Sequence, residues 1–282
     1  MIKIAITGSS GFVGQHLIKR LQKEGNVDLQ LFDHKKNDFF RKETLFSLVK
    51  DCDYCYHLAG VSDSKTNGLF KINVLATLNL LSVIARTNPK CKLIFPSSFS
   101  VYKSLEEPRK IRESSILFPR NRYGLSKMLA EKVIIYFSKK RRVNSVILRI
   151  SNIYGPGMQP DKHSVIATFL NNLKKGKVLT VKGSGKQTRD FIFIDDVVEA
   201  MLSARQVSNS CEIINICSGK SISINRLISL LEKVTNKKAN VVYVNKDLKP
   251  NYWLGDNSYA ARVLNWRPST NFLRGLFLTF NN

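Results

Sequence analysis

A glycine loop near the N-terminus, Gly8-Ser-Ser-Gly11-Phe-Val-Gly14, limits the fold more than any other feature of the chain. It follows the apolar run from Ile2 to Thr7 and opens an amphipathic helical pattern. That strand-to-helix context lifts a glycine pattern above chance. Glycine permits the tight turn and lets a pyrophosphate approach backbone amides at the helix N-terminus. The same switching of period recurs through the first half. Strands are expected at residues 2–7, 28–33, 53–58, 92–97 and 145–150, and helices at 12–24, 41–50, 67–87 and 122–140. Short β-branched strands alternating with helices form a doubly wound, parallel α/β sheet covered on both faces, and its ligand site lies at the strand C-termini.

After residue 150 the alternation loosens into Gly155-Pro156-Gly157, a helix near 163–175 and the turn Gly183-Ser-Gly185. A buried strand and helix at 191–204 are expected to return to the first domain, and a helix from about Ile224 to Val234 follows Ser223. The expected organisation is a dinucleotide-binding domain over 1–155, with 190–204 returning to it, and a smaller substrate lobe built mainly from 156–282. A chain of 282 residues can bury a sizeable core without covalent staples.

Lys and Arg outnumber Asp and Glu by 45 to 21, a formal charge of +24 that taken alone suggests a polyanionic partner. The charge is nevertheless spread along the chain. Its densest run, Lys139-Lys-Arg-Arg142, ends an expected helix, where cations oppose the macrodipole. No zinc-finger, RNA-recognition or basic-zipper pattern accompanies it, so specific nucleic-acid binding is not expected, and a general attraction for anionic substrates is. Five cysteines, an odd number, argue against a secreted disulfide framework. Cys52-X-X-Cys55 lacks a second ligand pair, so no metal site is expected and these cysteines read as small core residues. The N-terminus runs into a strand without a basic leader, and no apolar run approaches the roughly 20 residues that span a bilayer. A cytoplasmic protein without membrane insertion is expected.

Chemistry enters with Tyr123-Gly-Leu-Ser-Lys127. A phenol titrates near pH 10 and is a poor base at neutrality, but a cation one helical turn away favours the phenolate. Lys127 stands four residues after Tyr123, on the same helical face. Together with the glycine loop and the Ser97-Ser98 pair, this implies redox chemistry on a nucleotide-bound alcohol. Ser97, Ser98 or Ser100 could supply an assisting hydroxyl. Asp33, at the tip of the second strand, can accept both ribose hydroxyls and would repel a 2′-phosphate, favouring NAD. The following His34, Lys35 and Lys36 could hold that phosphate, which keeps NADP open.

These motifs resemble, in order and over nearly the whole length, an extended short-chain dehydrogenase/reductase of the NAD-dependent sugar-nucleotide epimerase/dehydratase group, similar to UDP-glucose 4-epimerases. Further matching stretches are His57-Leu58-Ala59-Gly60, Asn73, Val101-Tyr102, Leu148-Arg-Ile-Ser-Asn152-Ile-Tyr154-Gly-Pro156, Arg189-Asp-Phe-Ile, Asp195-Asp196-Val and Leu264-Asn-Trp266-Arg-Pro268. The resemblance implies a Rossmann-type sheet with a smaller C-terminal substrate lobe. It implies NAD on Gly8, Gly11, Phe12, Val13, Gly14, Asp33, Leu58, Ala59 and Gly60, with Asp38 at the adenine edge. Ser98 would hydrogen-bond the reacting hydroxyl and Tyr123 would be the general base and acid. Lys127 would hold the nicotinamide ribose and lower the tyrosine pKa. Asn152 and Arg189 would hold the substrate diphosphate, although Arg189 could instead pair with Asp190. Asn73 and His57 read as structural. A homodimer through the helices near 67–87 and 122–140 is also implied, although their apolar stripes would suit buried monomeric helices equally well.

Two departures from the family bear on substrate. UDP-glucose 4-epimerases usually carry a second arginine three residues before an Asp in the C-terminal lobe. If Asp247 is that residue, Val244 stands in the arginine's place, and the phosphate contact is missing or comes from Lys246 or Lys249. The dehydratase branch puts Asp-Glu directly after its catalytic Thr, whereas Phe99-Ser100 follow Ser98, which argues against 4,6-dehydration. The expected activity is epimerisation of a nucleotide-activated hexose, a UDP-sugar at C4, in a setting such as polysaccharide biosynthesis. The alternative is an NAD(P)H-dependent reductase of a nucleotide-linked 4-keto-6-deoxysugar using the same Ser98, Tyr123 and Lys127. A non-catalytic dinucleotide sensor or RNA-associated protein is the third reading, motivated by the charge.

Overall fold

The computed structural model describes residues 1–33, 37–160 and 164–281. Its elements run β1 (Ile2–Thr7), α1 (Phe12–Gln22), β2 (Val27–Phe32), α2 (Lys42–Val49), β3 (Tyr54–His57), α3 (Ala76–Thr87), β4 (Lys92–Ser98), α4 (Arg122–Arg141) and β5 (Ser145–Ile150). They continue through β6 (Asn152–Tyr154), α5 (Val165–Lys174), β7 (Leu179–Lys182), β8 (Thr188–Phe193), α6 (Ile194–Ser203), β9 (Cys211–Ile216) and β10 (Ser221–Ser223). The chain closes with α7 (Ile224–Thr235), β11 (Val241–Val244), α8 (Ser258–Val263) and α9 (Phe272–Asn281).

Six strands form one parallel sheet in the order β2-β1-β3-β4-β5-β9, a Rossmann-type α/β arrangement. Successive residues of a strand face opposite sides, and the two cores separate on that rule. Ala5, Phe95 and Ile147 join Leu45 of α2, Leu80 and Ile84 of α3 and Ile134 of α4 in one cluster. Ile4, Ile6, Ile94 and Val146 join Leu17 and Leu21 of α1 and Val197 and Met201 of α6 in the other. Each such buried aliphatic side chain contributes about 1.5–3 kcal/mol of apolar transfer. The helix at 67–87 opens with a wide π turn over Lys71–Leu75, which buries Asn73.

The second half departs from expectation in one respect. The strand at 191 does not return to the main sheet: β8 pairs parallel with β6 and antiparallel with β10 in a three-stranded sheet of its own. The helix after it, α6, does pack against α1. The sixth strand of the main sheet is β9, beside β5. The apolar run 191–194 serves either sheet equally well. The choice is made by β6, which starts one residue after β5 ends and gives β8 a partner. A two-stranded β7–β11 pair and helices α5, α7 and α9 complete this lobe.

Two motifs far apart in sequence meet here. Asp196 on α6 accepts the N–H and hydroxyl of Ser269 and the N–H of Thr270, while the Trp266 indole N–H donates to the Asp196 carbonyl at 3.0 Å. α4 is capped by Asn121, whose side chain accepts from Gly124, and ends on Lys139, Lys140 and Arg141, so the densest charge run opposes that helix's dipole. Among the described residues no helix is long and apolar enough to cross a membrane, and no group of three His, Cys, Asp or Glu could hold a metal ion. Cys55 is fully buried in β3, and burial pushes the Cys52 thiol up to about 11.

Candidate active site

The glycine loop joins β1 to α1 at the C-terminal edge of the sheet. Gly8 has φ +72°, and a Cβ there would meet the Ala59 nitrogen at 2.6 Å. A Cβ on Gly14 would lie 2.3 Å from the Gly8 carbonyl oxygen. These contacts pull the helix start against the loop after β3. Gly11 is the N-cap of α1, with no side-chain cap and no acidic residue in the first turn. The helix therefore presents unpaired N–H groups and the positive end of its dipole, the arrangement that receives a phosphate.

A cavity of about 880 Å³ opens beyond this loop, lined by Gly8, Gly11, Phe12, Val13, Gly14, Leu58 and Gly60, and by Ser98, Ser100, Tyr123, Asn152 and Arg189. Ala59, Asp33, Asp38 and Lys127 are not on its wall. Asp33 follows β2, where its N–H donates to the Asn37 side chain at 3.0 Å. Asp38 is exposed and its carboxylate accepts from the Phe40 N–H. His34, Lys35 and Lys36, the residues that kept NADP open, lie outside the described residues.

Strand alternation separates Ser97 from Ser98 on β4, and Ser100 lies in the short 3-10 turn that follows. Ser97 is buried and donates to Glu131 at 2.5 Å, away from the cavity. Ser98 and Ser100 face the cavity, and the Ser98 Oγ donates to Ser100 Oγ at 3.2 Å. Burial pushes the Tyr123 phenol above its ordinary value, and a hydrogen bond with Ser98 pulls the other way. The expected help from Lys127 is not among these influences. Its ammonium donates to the Pro96 carbonyl at 2.8 Å and lies over the Phe95 ring, and burial brings it down to about 8 despite Glu131. The cation is thus held by the Pro96 carbonyl and the Phe95 ring, beside Gly60.

A buried polar network lies beneath; Tyr102 and Arg149 stand in the matching stretches, but nothing in the sequence joined them to Glu131. Arg149 on β5 forks onto Glu131 of α4 with contacts of 2.7–3.3 Å and donates to Tyr102 Oη at 3.0 Å, and Tyr102 donates to Asn215 of β9. A cue to Glu131 itself was its spacing, four residues after Lys127 on the same helical face. His57 is also buried. Thr77 gives its hydroxyl proton to the Asn73 carbonyl, so it accepts from His57 Nε2, and Nδ1 accepts from Thr7, whose oxygen receives the Ala59 N–H. Burial lowers this imidazole to about 3, so it is neutral. Asn73 bonds both backbone groups of Val61 and the Ser126 hydroxyl. These residues hold the loop after β3 rather than face the cavity.

Arg189 and Asp190 do not pair. Arg189 donates from one nitrogen to the Thr188 carbonyl and the Asn251 side chain, both at 2.7 Å. Asp190 faces the other side of β8 and accepts from Ser151, Ser218, Gly219 and Gly255. The Asn152 amide donates to the Asp190 carbonyl.

Residues 4–217 match the model of the NAD dependent epimerase/dehydratase family. The chain belongs to that family. It is therefore an NAD-dependent enzyme of the extended short-chain dehydrogenase/reductase type. It is 28% identical over 295 residues to a putative UDP-glucose 4-epimerase of Methanocaldococcus jannaschii, covering 97% of this chain and 95% of that one. It is 30% identical over 311 residues to the UDP-glucuronate 4-epimerase of Thermodesulfobacterium geofontis, covering 98% and 94%. The structure of UDP-glucuronic acid 4-epimerase from Bacillus cereus, in complex with UDP-glucuronic acid and NAD, superposes with a TM-score of 0.89 at 28% identity, covering 99% of this chain and 98% of that one.

Proposed function

We propose that this enzyme inverts C4 of a UDP-activated hexose or hexuronic acid. The observation that carries the proposal is the convergence of Ser98, Tyr123, Asn152 and Arg189 with the glycine loop on one cavity, in a chain similar over its full length to 4-epimerases. The residues fit a dinucleotide: the uncapped start of α1 receives its pyrophosphate, and Gly8 and Gly14 leave no space for a side chain where it would approach. Gly11, Phe12, Val13, Leu58, Ala59 and Gly60 would border it, Asp33 and Asp38 would meet its adenosine half, and Tyr123 and Lys127 its nicotinamide half. NAD, when bound, supplies the hydride acceptor and donor that inversion of a secondary alcohol requires. Tyr123 takes the proton of the C4 hydroxyl and later returns it, so one acid/base group serves both halves. Ser98 donates a hydrogen bond to the same oxygen, and Lys127 holds its charge under the floor of the site. Asn152 and Arg189 grip the diphosphate while the sugar turns, which keeps it from leaving between the two steps.

The proposal includes a homodimer and the cytoplasmic setting read from the sequence. Leu75 and Leu78 at the start of α3, and Leu125, Leu129 and Tyr136 on α4, are each more than a third exposed. Their spacing places them on the outward stripes of two adjacent helices, the surface that a second copy would cover.

The test is anaerobic incubation with UDP-glucose, UDP-glucuronate and the corresponding dTDP- and GDP-sugars, with and without added NAD, read by NMR and by absorbance of reduced nicotinamide. Inversion at C4 without net NADH is expected. Inertness towards every sugar, with NAD(P)H oxidised by a 4-keto-6-deoxysugar, would make the enzyme a reductase instead.

A further inference from the structure

Among the described residues no Asp or Glu lines the cavity that contains Tyr123, and its only lining cations are Arg120 and Arg189. Arg120 stands three residues before Tyr123, just ahead of the α4 cap, and was not singled out by any motif. No hydrogen bond or ion pair with protein engages its guanidinium among the described residues, whereas the neighbouring Arg122 donates to the Ser64 carbonyl. Arg189 spends a single nitrogen on Thr188 and Asn251, leaving the rest of its fork for a ligand. The two guanidiniums are close enough that Arg120, after burial, holds Arg189 down to about 10. Two unneutralised like charges facing one cavity repel until an anion enters between them.

Among the described residues the C-terminal lobe supplies no second cation to this wall. Lys246 and Lys249, the sequence-level candidates, are exposed and absent from the cavity wall. Val244 stands in β11, paired with Lys182 of β7. The cofactor's pyrophosphate has its own receptor in the amides of α1, so the arginine pair faces a different anion.

We propose that Arg120 and Arg189 together clamp the diphosphate of the nucleotide sugar, Arg120 supplying from just ahead of α4 the second cation that the described residues of the C-terminal lobe do not. This rests on the nucleotide-sugar reading above. A diphosphate matches the pair in charge, and two guanidinium forks can bind its two phosphoryl groups separately. The placement also anchors the substrate two residues ahead of the helix that carries the acid/base tyrosine, keeping grip and chemistry close together.

Calorimetric titration of UDP and UMP into the holoenzyme and its R120Q variant tests this. UDP affinity is expected to fall about tenfold in R120Q and UMP affinity by less, with NAD content and melting temperature unchanged. The K246Q/K249Q double variant is expected to bind as the unaltered enzyme does. With substrate, R120Q should raise KM and leave kcat nearly intact, the signature of lost uniform binding. Unchanged UDP affinity in R120Q overturns the proposal, as does a loss seen only with UDP-glucuronate and not with UDP, which would assign Arg120 to a sugar carboxylate. If the unaltered enzyme binds no uridine nucleotide, the UDP-sugar reading fails. Then dTDP, GDP and inorganic pyrophosphate carry the same comparison: affinity for any of them that depends on Arg120 sustains the clamp, and its absence throughout overturns it.

Discussion

Asp190 shows what a single side chain can fix around a cavity. Its carboxylate accepts hydrogen bonds from Ser151, Ser218, Gly219 and Gly255, so one buried group ties together the exits of β5 and β9 and the segment at 255. Burial raises it from 3.8 to about 6, and these donors restrain the rise. The folded value lies above the unfolded one, so the native state holds the extra proton between about pH 4 and pH 6. Stability from this group is full below that window and is lost as pH rises through about 6, by roughly 3 kcal/mol. An amide in place of this carboxylate cannot titrate. Subtracting the D190N unfolding free energy from the unaltered protein's should therefore leave a difference that shrinks as pH climbs from about 4 to about 7, measured by urea melts; a flat difference would refute the assignment. The sequence left Arg189 and Asp190 open as a pair. Strand alternation excludes it, but only once residues 188–193 are known to be extended. Ser97 and Ser98 on β4 divide by the same rule, while Ser100 reaches the cavity beside Ser98 from the turn after the strand. Burial of Tyr123 and Lys127, and the Glu131–Arg149 network, were not legible, because they depend on several elements closing over one another.

At the scale of elements, the first strand, turn and helix were the most readable part of the chain. Three glycines in sequence look equivalent, but the packing ranks them. A Cβ on Gly14 collides with backbone at 2.3 Å, whereas one on Gly11 meets its nearest neighbour at 3.3 Å. G14A should thus lose about 3 kcal/mol of stability and its bound NAD, while G11A keeps its fold and loses cofactor affinity alone. Chemical denaturation with and without NAD would check the order, and equal losses would contradict it. The alternation of strands and helices located the strands β1 to β5 and the α-helices between them within a few residues, since buried parallel strands and amphipathic helices differ in period. The π turn at Lys71–Leu75 escaped because it adds one residue to a turn without disturbing the apolar stripe. β8 escaped because a fully buried strand carries no mark of which sheet it joins, and β9 because it lies beyond a long excursion.

For the whole molecule, the exposed leucines of α3 and α4 are the test of assembly. L129E places a charge on the proposed seam at a residue already 38% exposed, so the fold should be unaffected. Sedimentation is expected to show a dimer for the unaltered protein and a monomer for L129E; a monomer in both would remove the dimer. The +24 charge has no single patch to explain it in the sequence, and among the described residues the cavity receives two of its cations. A further property follows from how the chain crosses between its two large sheets. Ser151 alone separates β5 from β6; its N–H donates to Ile216 of β9 and its hydroxyl to Asp190 of β8. The chain leaves the main sheet at that residue and comes back only at Cys211, so no one cut divides the molecule into two complete pieces. The small lobe is thus not an exchangeable cassette. New sugar preferences in such an architecture have to arise by replacing side chains around the existing cleft, one at a time, and not by grafting a lobe from a relative.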